Sequence, residues 1–166
     1  MTLRRRLEAA PETVQELDFA SVQKYREGVA LVGAGHFGGG IYLLGYSAEM
    51  LLKNAYFRHT GASAVDRTQP RLAPALAAGR LYIPAIPHES YHSLQFWALL
   101  LREVRRRQRR PLPPLVDASF TARTRRLHQT AWIGMRYRRD QATALEAQSA
   151  QSDAAWLQRH YSELWR

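Results

Sequence analysis

The chain has 166 residues, 46% of them apolar, which suits one folded domain with one sizeable core. It has no cysteine, which excludes disulfides, cysteine-based zinc sites and thiol catalysis and fits a reducing, cytoplasmic setting. The net charge is +10; Met1–Arg6 is basic, but no apolar run of signal-peptide or membrane-spanning length follows it, so neither is expected.

Leu17, Val22, Tyr25, Val29 and Val32 recur at helical intervals, predicting a first helix over Pro11–Ala34. A second helix is expected over Phe37–His59, ended by Thr60-Gly61. Residues 61–87 hold Pro70, Pro74, Pro84 and Pro87, so only short helical turns are expected there. A third long helix is predicted from His88 to Arg110, stopped by Pro111, Pro113 and Pro114. Two more follow, over about Val116–Met135 and Gln141–Trp165. Only Val29–Val32 and Ala62–Val65 read as possible strands. The pattern predicts an all-α, four- to five-helix, up-and-down antiparallel bundle forming a single domain.

The charge is not spread evenly. Arg102–Arg139 holds 12 arginines against Glu103 and Asp117, a local net of +10. The whole chain has only two lysines, Lys24 and Lys53. A preference for arginine codons explains arginine over lysine, but it does not explain the clustering. The planar guanidinium fork suits phosphate and base stacking better than an ammonium does. Arg105, Arg106, Arg109 and Arg110 follow an apolar helix half and read as a basic end. Arg123, Arg125 and Arg126 come near them if the next helix packs antiparallel. Phe96 and Trp97 read as core.

Two motifs carry sharper chemistry. Val29–Val32 followed by Gly33-Ala34-Gly35-His36-Phe37-Gly38 spells a dinucleotide fingerprint, with pyrophosphate at a helix N-terminus. Asp66 lies 28 residues beyond Gly38, later than usual for the acidic ribose ligand, and the rest of the chain is helical. The glycines are read instead as a sharp turn that lets two helices approach. His88-Glu89-Ser90-Tyr91-His92 spells HExxH, which on a helix binds zinc with Glu89 as general base. It follows Pro87 directly and lacks a suitable third ligand, so Glu89 is read as a charge at a helix N-terminus. Neither a metal nor a cofactor is expected.

On the second helix Tyr42, Gly45, Tyr46, Glu49, Leu52 and Lys53 share one face. A carboxylate on such a stripe needs a partner; Arg136 is the first expectation and Lys53 the second. This segment resembles the second helix of the HEPN family, which reads Y-x-x-G-Y-x-x-E-x-x-L-K. His92-Ser93-Leu94 resembles that family's H-x-L, and Trp132–Tyr137 its W-x-x-x-R-Y. Together the segments place Glu49, Lys53, Tyr46, His92 and Tyr137 as structural polar residues over a match spanning residues 14–165. The resemblance implies a bundle, commonly dimeric, associated with RNA or a nucleotide and often accompanied by a separately encoded nucleotidyltransferase.

Many HEPN proteins are metal-independent ribonucleases with R-x(4–6)-H near the start of the last helix. Arg136 sits near that place, but no histidine follows until His160. Arg123 and His128 spell R-x4-H one helix earlier, so a ribonuclease or toxin would use Arg123, His128 and Arg136. The preferred reading is non-catalytic, with RNA or a nucleotide bound through Arg105, Arg106, Arg109, Arg110, Arg123, Arg125, Arg126, Arg136 and Arg138. A protein-interaction scaffold or antitoxin-type module is the remaining alternative.

Overall fold

The Thr13 hydroxyl accepts the Glu16 N–H at 3.2 Å and so starts α1, Val14–Gly33. In this computed structural model residues 12–86, 92–131 and 141–166 are described. After α1 come α2 (Phe37–His59), α3 (Gln69–Tyr82), α4 (Leu94–Arg107), α5 (Pro114–Thr130) and α6 (Ala144–Trp165). The Ser93 hydroxyl caps α4 by accepting the Phe96 N–H at 3.2 Å. Thr143 and Glu146 form a reciprocal capping box at the start of α6.

The described residues are all-helical, joined by turns and loops, apart from one isolated Thr13–Arg67 bridge. Val29–Val32 lies inside α1 and Ala62–Val65 in a loop, so neither is a strand and the dinucleotide fingerprint has no sheet to feed it. The glycines serve packing. Gly35, at φ 80°, makes the tight turn between α1 and α2. A Cβ on Gly40 would lie 2.5 Å from Val32 Cγ2 and 3.0 Å from the Gly28 carbonyl oxygen. Gly28 and Gly40 thus bring the two helix backbones together.

Three elements depart from the expectations. Residues 69–82 form a full helix, because Pro70 sits in its first turn, where a missing N–H is harmless. Pro74 costs that helix one internal bond without ending it. The third long helix begins at Leu94 rather than His88, because Ser93 is its cap. The fifth helix ends at Thr130, short of Met135; residues 132–140 lie outside the described residues.

The helices are not strictly up-and-down. Contacts between α1 and α2 run antiparallel: Ser47 Oγ donates to the Ser21 carbonyl at 2.7 Å, and Asn54 Nδ2 to the Val14 carbonyl. Contacts between α2 and α4 run parallel: Glu49 meets His92, Tyr56 and Phe57 pack on Trp97, and His59 meets Arg105. On α6, Gln158 reaches Ser47, Tyr161 reaches Asn54 and Trp165 reaches His59, again parallel to α2. So α2, α4 and α6 point one way, and the C-termini of all three meet at one end. The connection carrying α3 returns the chain from the end of α2 to the start of α4.

Phe96 and Trp97 are fully buried, as expected of core residues. α2 is the central strut, burying Ile41, Leu44, Leu51, Leu52 and Phe57. Gly40→Ala should destabilise the fold by about 1–3 kcal/mol despite alanine's better helix propensity, since the new methyl meets backbone. Gly39→Ala, whose Cβ would lie 3.4 Å from Leu31 Cδ1, should be neutral or stabilising by about 0.5 kcal/mol. Urea denaturation of both variants checks this; equal effects would mean that α1 and α2 are not in close contact.

Candidate functional site

Two places collect the residues singled out in the sequence. The first is a cleft on the exposed edge of α2. Tyr42, Gly45, Tyr46 and Glu49 line it, facing His92, Leu94 and Ala131. Glu49 is buried, and its Oε1 accepts from Lys53 Nζ at 2.5 Å and from His92 Nδ1 at 2.9 Å. The acceptor is a carboxylate, so His92 donates to it through Nδ1. Lys53 also lies 5.6 Å from the centre of the Trp97 ring. Tyr42 and Tyr46 stack at 6.3 Å, and burial, then the Glu49 charge, pushes the Tyr46 hydroxyl upward. Gly45 is required here: a Cβ on it would lie 2.3 Å from that of Ala131.

Glu49, Lys53, Tyr46 and His92 therefore meet, although they come from two separate sequence motifs. Lys53, the second expected partner of Glu49, is its partner, and His92 is one that the sequence did not suggest. Arg136, Tyr137 and Arg138 lie outside the described residues, as do His88–Tyr91 of the HExxH motif. His92 sits in the turn before α4, not on a helix. No cluster of potential metal ligands occurs among the described residues.

The second place is the α4–α5 hairpin and the bundle end it reaches. The arginines there divide by what they touch. Arg105 is 6% exposed, and its Nη1 donates to the Leu164 carbonyl at 2.9 Å. It is a cap on the α6 C-terminus, which corrects its placement on a solvated basic end. Arg102 grips Asp117 with two bonds of 2.6 Å. Arg106 and Arg107 share Glu103, at 2.9 and 2.7 Å. Arg123 and Arg126 share the buried Asp153, at 2.9 and 2.6 Å, tying α5 to α6. Arg109, Arg110 and Arg125 are exposed and make no side-chain ion pair among the described residues.

In the R-x4-H pair, Arg123 is thus engaged by Asp153 and lies over the Trp156 ring at 5.5 Å. His128 is half-buried in the last turn of α5, and burial lowers its basicity. The helix stops at Thr130, so it does not continue from His128 to residue 136.

Sequence reasoning missed the residues that join this end together. His59 Nδ1 contacts the Trp165 carbonyl at 3.1 Å. Arg58 stacks on Trp165 at 4.3 Å, and Arg166 lies 5.7 Å from the same ring. Their only signal was position, because each lies at a helix C-terminus. No family model, curated protein or solved structure shows significant similarity to the chain.

Two outcomes follow from these geometries. Glu49→Gln should destabilise the fold by about 3 kcal/mol, because Lys53, only 12% exposed at its side chain, is left without its counter-charge. Unchanged stability in urea would place Glu49 in solvent. His59 titrates below its ordinary value of 6.5, first because of burial and further because of Arg105 and Arg110 nearby. The folded chain therefore resists a proton that the unfolded chain accepts, and stability drops as pH falls from about 6.5 through the folded-state value. His128 adds a loss in the same direction. Urea midpoints at about pH 7.5 and pH 5 should differ less in His59→Gln than in the wild type; an identical pH dependence would remove His59 as a cause.

Proposed function

We propose that the chain is a non-catalytic, HEPN-like module that binds RNA or a nucleotide through the arginines of the α4–α5 hairpin. The observation that carries this reading is an imbalance of charge. Glu103 and Asp153 are each shared by two arginines, so each cluster keeps a net positive charge. Arg109, Arg110 and Arg125 add exposed guanidinium groups that no described carboxylate offsets. Such a surface attracts phosphates and makes binding depend on salt.

The HEPN-like part of the reading draws support from the cleft. Glu49 and Lys53 come from the Y-x-x-G-Y-x-x-E-x-x-L-K segment and His92 from the H-x-L segment, and both Lys53 and His92 contact the Glu49 carboxylate. The resemblance also brings a homodimer and a separately encoded nucleotidyltransferase as proposed partners. The ribonuclease alternative is disfavoured by the engagement of Arg123 with Asp153, which leaves its fork little freedom to clamp a scissile phosphate.

Electrophoretic shift of labelled single-stranded RNA across a salt series tests the proposal. The wild type should show a log–log slope of roughly −0.7 per phosphate engaged. Replacing Arg106, Arg109 and Arg110 together by Ala should flatten that slope by roughly 2 while the fold persists. Arg105 is left intact because its loss would report on stability. The RNA should be recovered uncleaved in EDTA. Affinity and slope that survive the triple change would place the surface elsewhere, and EDTA-resistant cleavage lost in His128→Ala would establish the nuclease.

A further inference from the structure

A groove runs between α4 and α5, floored by Ala98, Leu99, Thr121 and Thr124. Three polar side chains, Gln95, Arg102 and Arg125, line it. The floor offers little hydrogen bonding, because Thr121 and Thr124 donate their hydroxyls to the Asp117 and Phe120 carbonyls at 2.8 and 2.7 Å. What they present is largely apolar.

The polar residues differ in freedom. Asp117 holds Arg102 through both Nε and Nη2, so its guanidinium plane is fixed. Arg125 is exposed, and neither it nor the Gln95 amide has a hydrogen-bond partner among the described residues. A largely apolar floor, an oriented guanidinium plane, one amide with both donor and acceptor, and one uncommitted cation make a specific set. An inorganic anion would use only the cation. A flat heteroaromatic ring would use the floor, the plane and the amide.

We propose that this groove seats one nucleoside monophosphate unit, with its base on the Ala98–Leu99 floor beside Arg102 and Gln95 and its phosphate on Arg125. The proposal rests on the RNA or nucleotide reading above and narrows it to one place and one unit. The unit comes either from a free mononucleotide or from one residue of an RNA strand.

The test is titration of adenosine 5′-monophosphate into the full chain by calorimetry, with adenosine and inorganic phosphate as separate arms. The monophosphate should bind at least about tenfold more tightly than either fragment, since the groove engages both parts. Arg125→Ala should weaken it by about tenfold or more, as expected for loss of a charged hydrogen bond. Thr121→Phe, which fills the floor, should weaken the monophosphate and adenosine alike, with a thermal melt confirming that the variant is folded. Competition against labelled RNA separates the sources. Displacement of RNA by the monophosphate means that one strand residue occupies the groove, and monophosphate binding without displacement means that the groove serves a free nucleotide. Monophosphate binding no tighter than phosphate, or unaltered by both variants, overturns the seat. If wild-type RNA binding persists in that case, the broader reading stands and only the seat fails.

Discussion

Burial of α2 on nearly every side is the constraint from which the rest of the arrangement follows. A polar group in that position must be bonded or it destabilises the fold. Four polar residues along α2 are buried, and they look to different helices. Ser47 donates to α1 and accepts from Gln158 of α6. Glu49 turns to His92, two residues before α4. Asn54 joins α1 to Tyr161 of α6, whose hydroxyl burial pushes up to about 12. His59 meets the end of α6 and the end of α4. Apolar contact alone would let these helices slide by a turn; each polar contact permits one register. The hydrogen bonds add modest net stability, but leaving any of them unmade would be costly.

The scarcity of acids shapes the surface in a related way. Fourteen acidic residues face twenty-four basic ones, so carboxylates are the limiting partner. The fold places two of them, Glu103 and Asp153, where each engages two arginines. Asp153 is almost fully buried, and its two arginines supply the counter-charge that makes such burial tolerable. The same arrangement that holds α5 against α6 therefore leaves positive charge facing solvent. A cluster that looked in sequence like a single ligand-binding block is partly internal scaffold.

The legible parts of the sequence were those with a strong local cause. The bounds of α2 follow from its uninterrupted apolar periodicity and the Thr60-Gly61 stop, and the structure has the same bounds. The closeness of Glu49 and Lys53 follows from i, i+4 spacing on one helix. What did not follow was whatever depends on which way a helix points. Arg105 and Arg106 are neighbours in sequence, yet one is buried beneath α6 and the other is in solvent. A helix turns about 100° per residue, so the side that α6 covers decides between them. Helix α3 was hidden by prolines that read as breakers, although Pro70 occupies a position where proline is favourable. The contact of His92 with Glu49 joins residues 43 apart in sequence, and no periodicity reports such a distance.

The convergence of three helix C-termini gives the basic end a structural cause that any functional account must leave room for. Each C-terminus carries unsatisfied carbonyls and a partial negative charge. Arg58 and His59 in the last turn of α2, and Arg105, Arg106 and Arg107 in the last turn of α4, are placed to offset it. α6 has no basic residue in its own last turn, and it draws its caps from the other two helices, through His59 and Arg105. That requirement accounts for the cations at the helix ends. It does not account for Arg125, more than a turn before the end of α5, a helix that runs antiparallel to α4, nor for the second arginine on Asp153. Helix dipoles therefore explain the base of the cluster, and the excess along the α4–α5 hairpin is the part on which the proposed RNA or nucleotide binding rests.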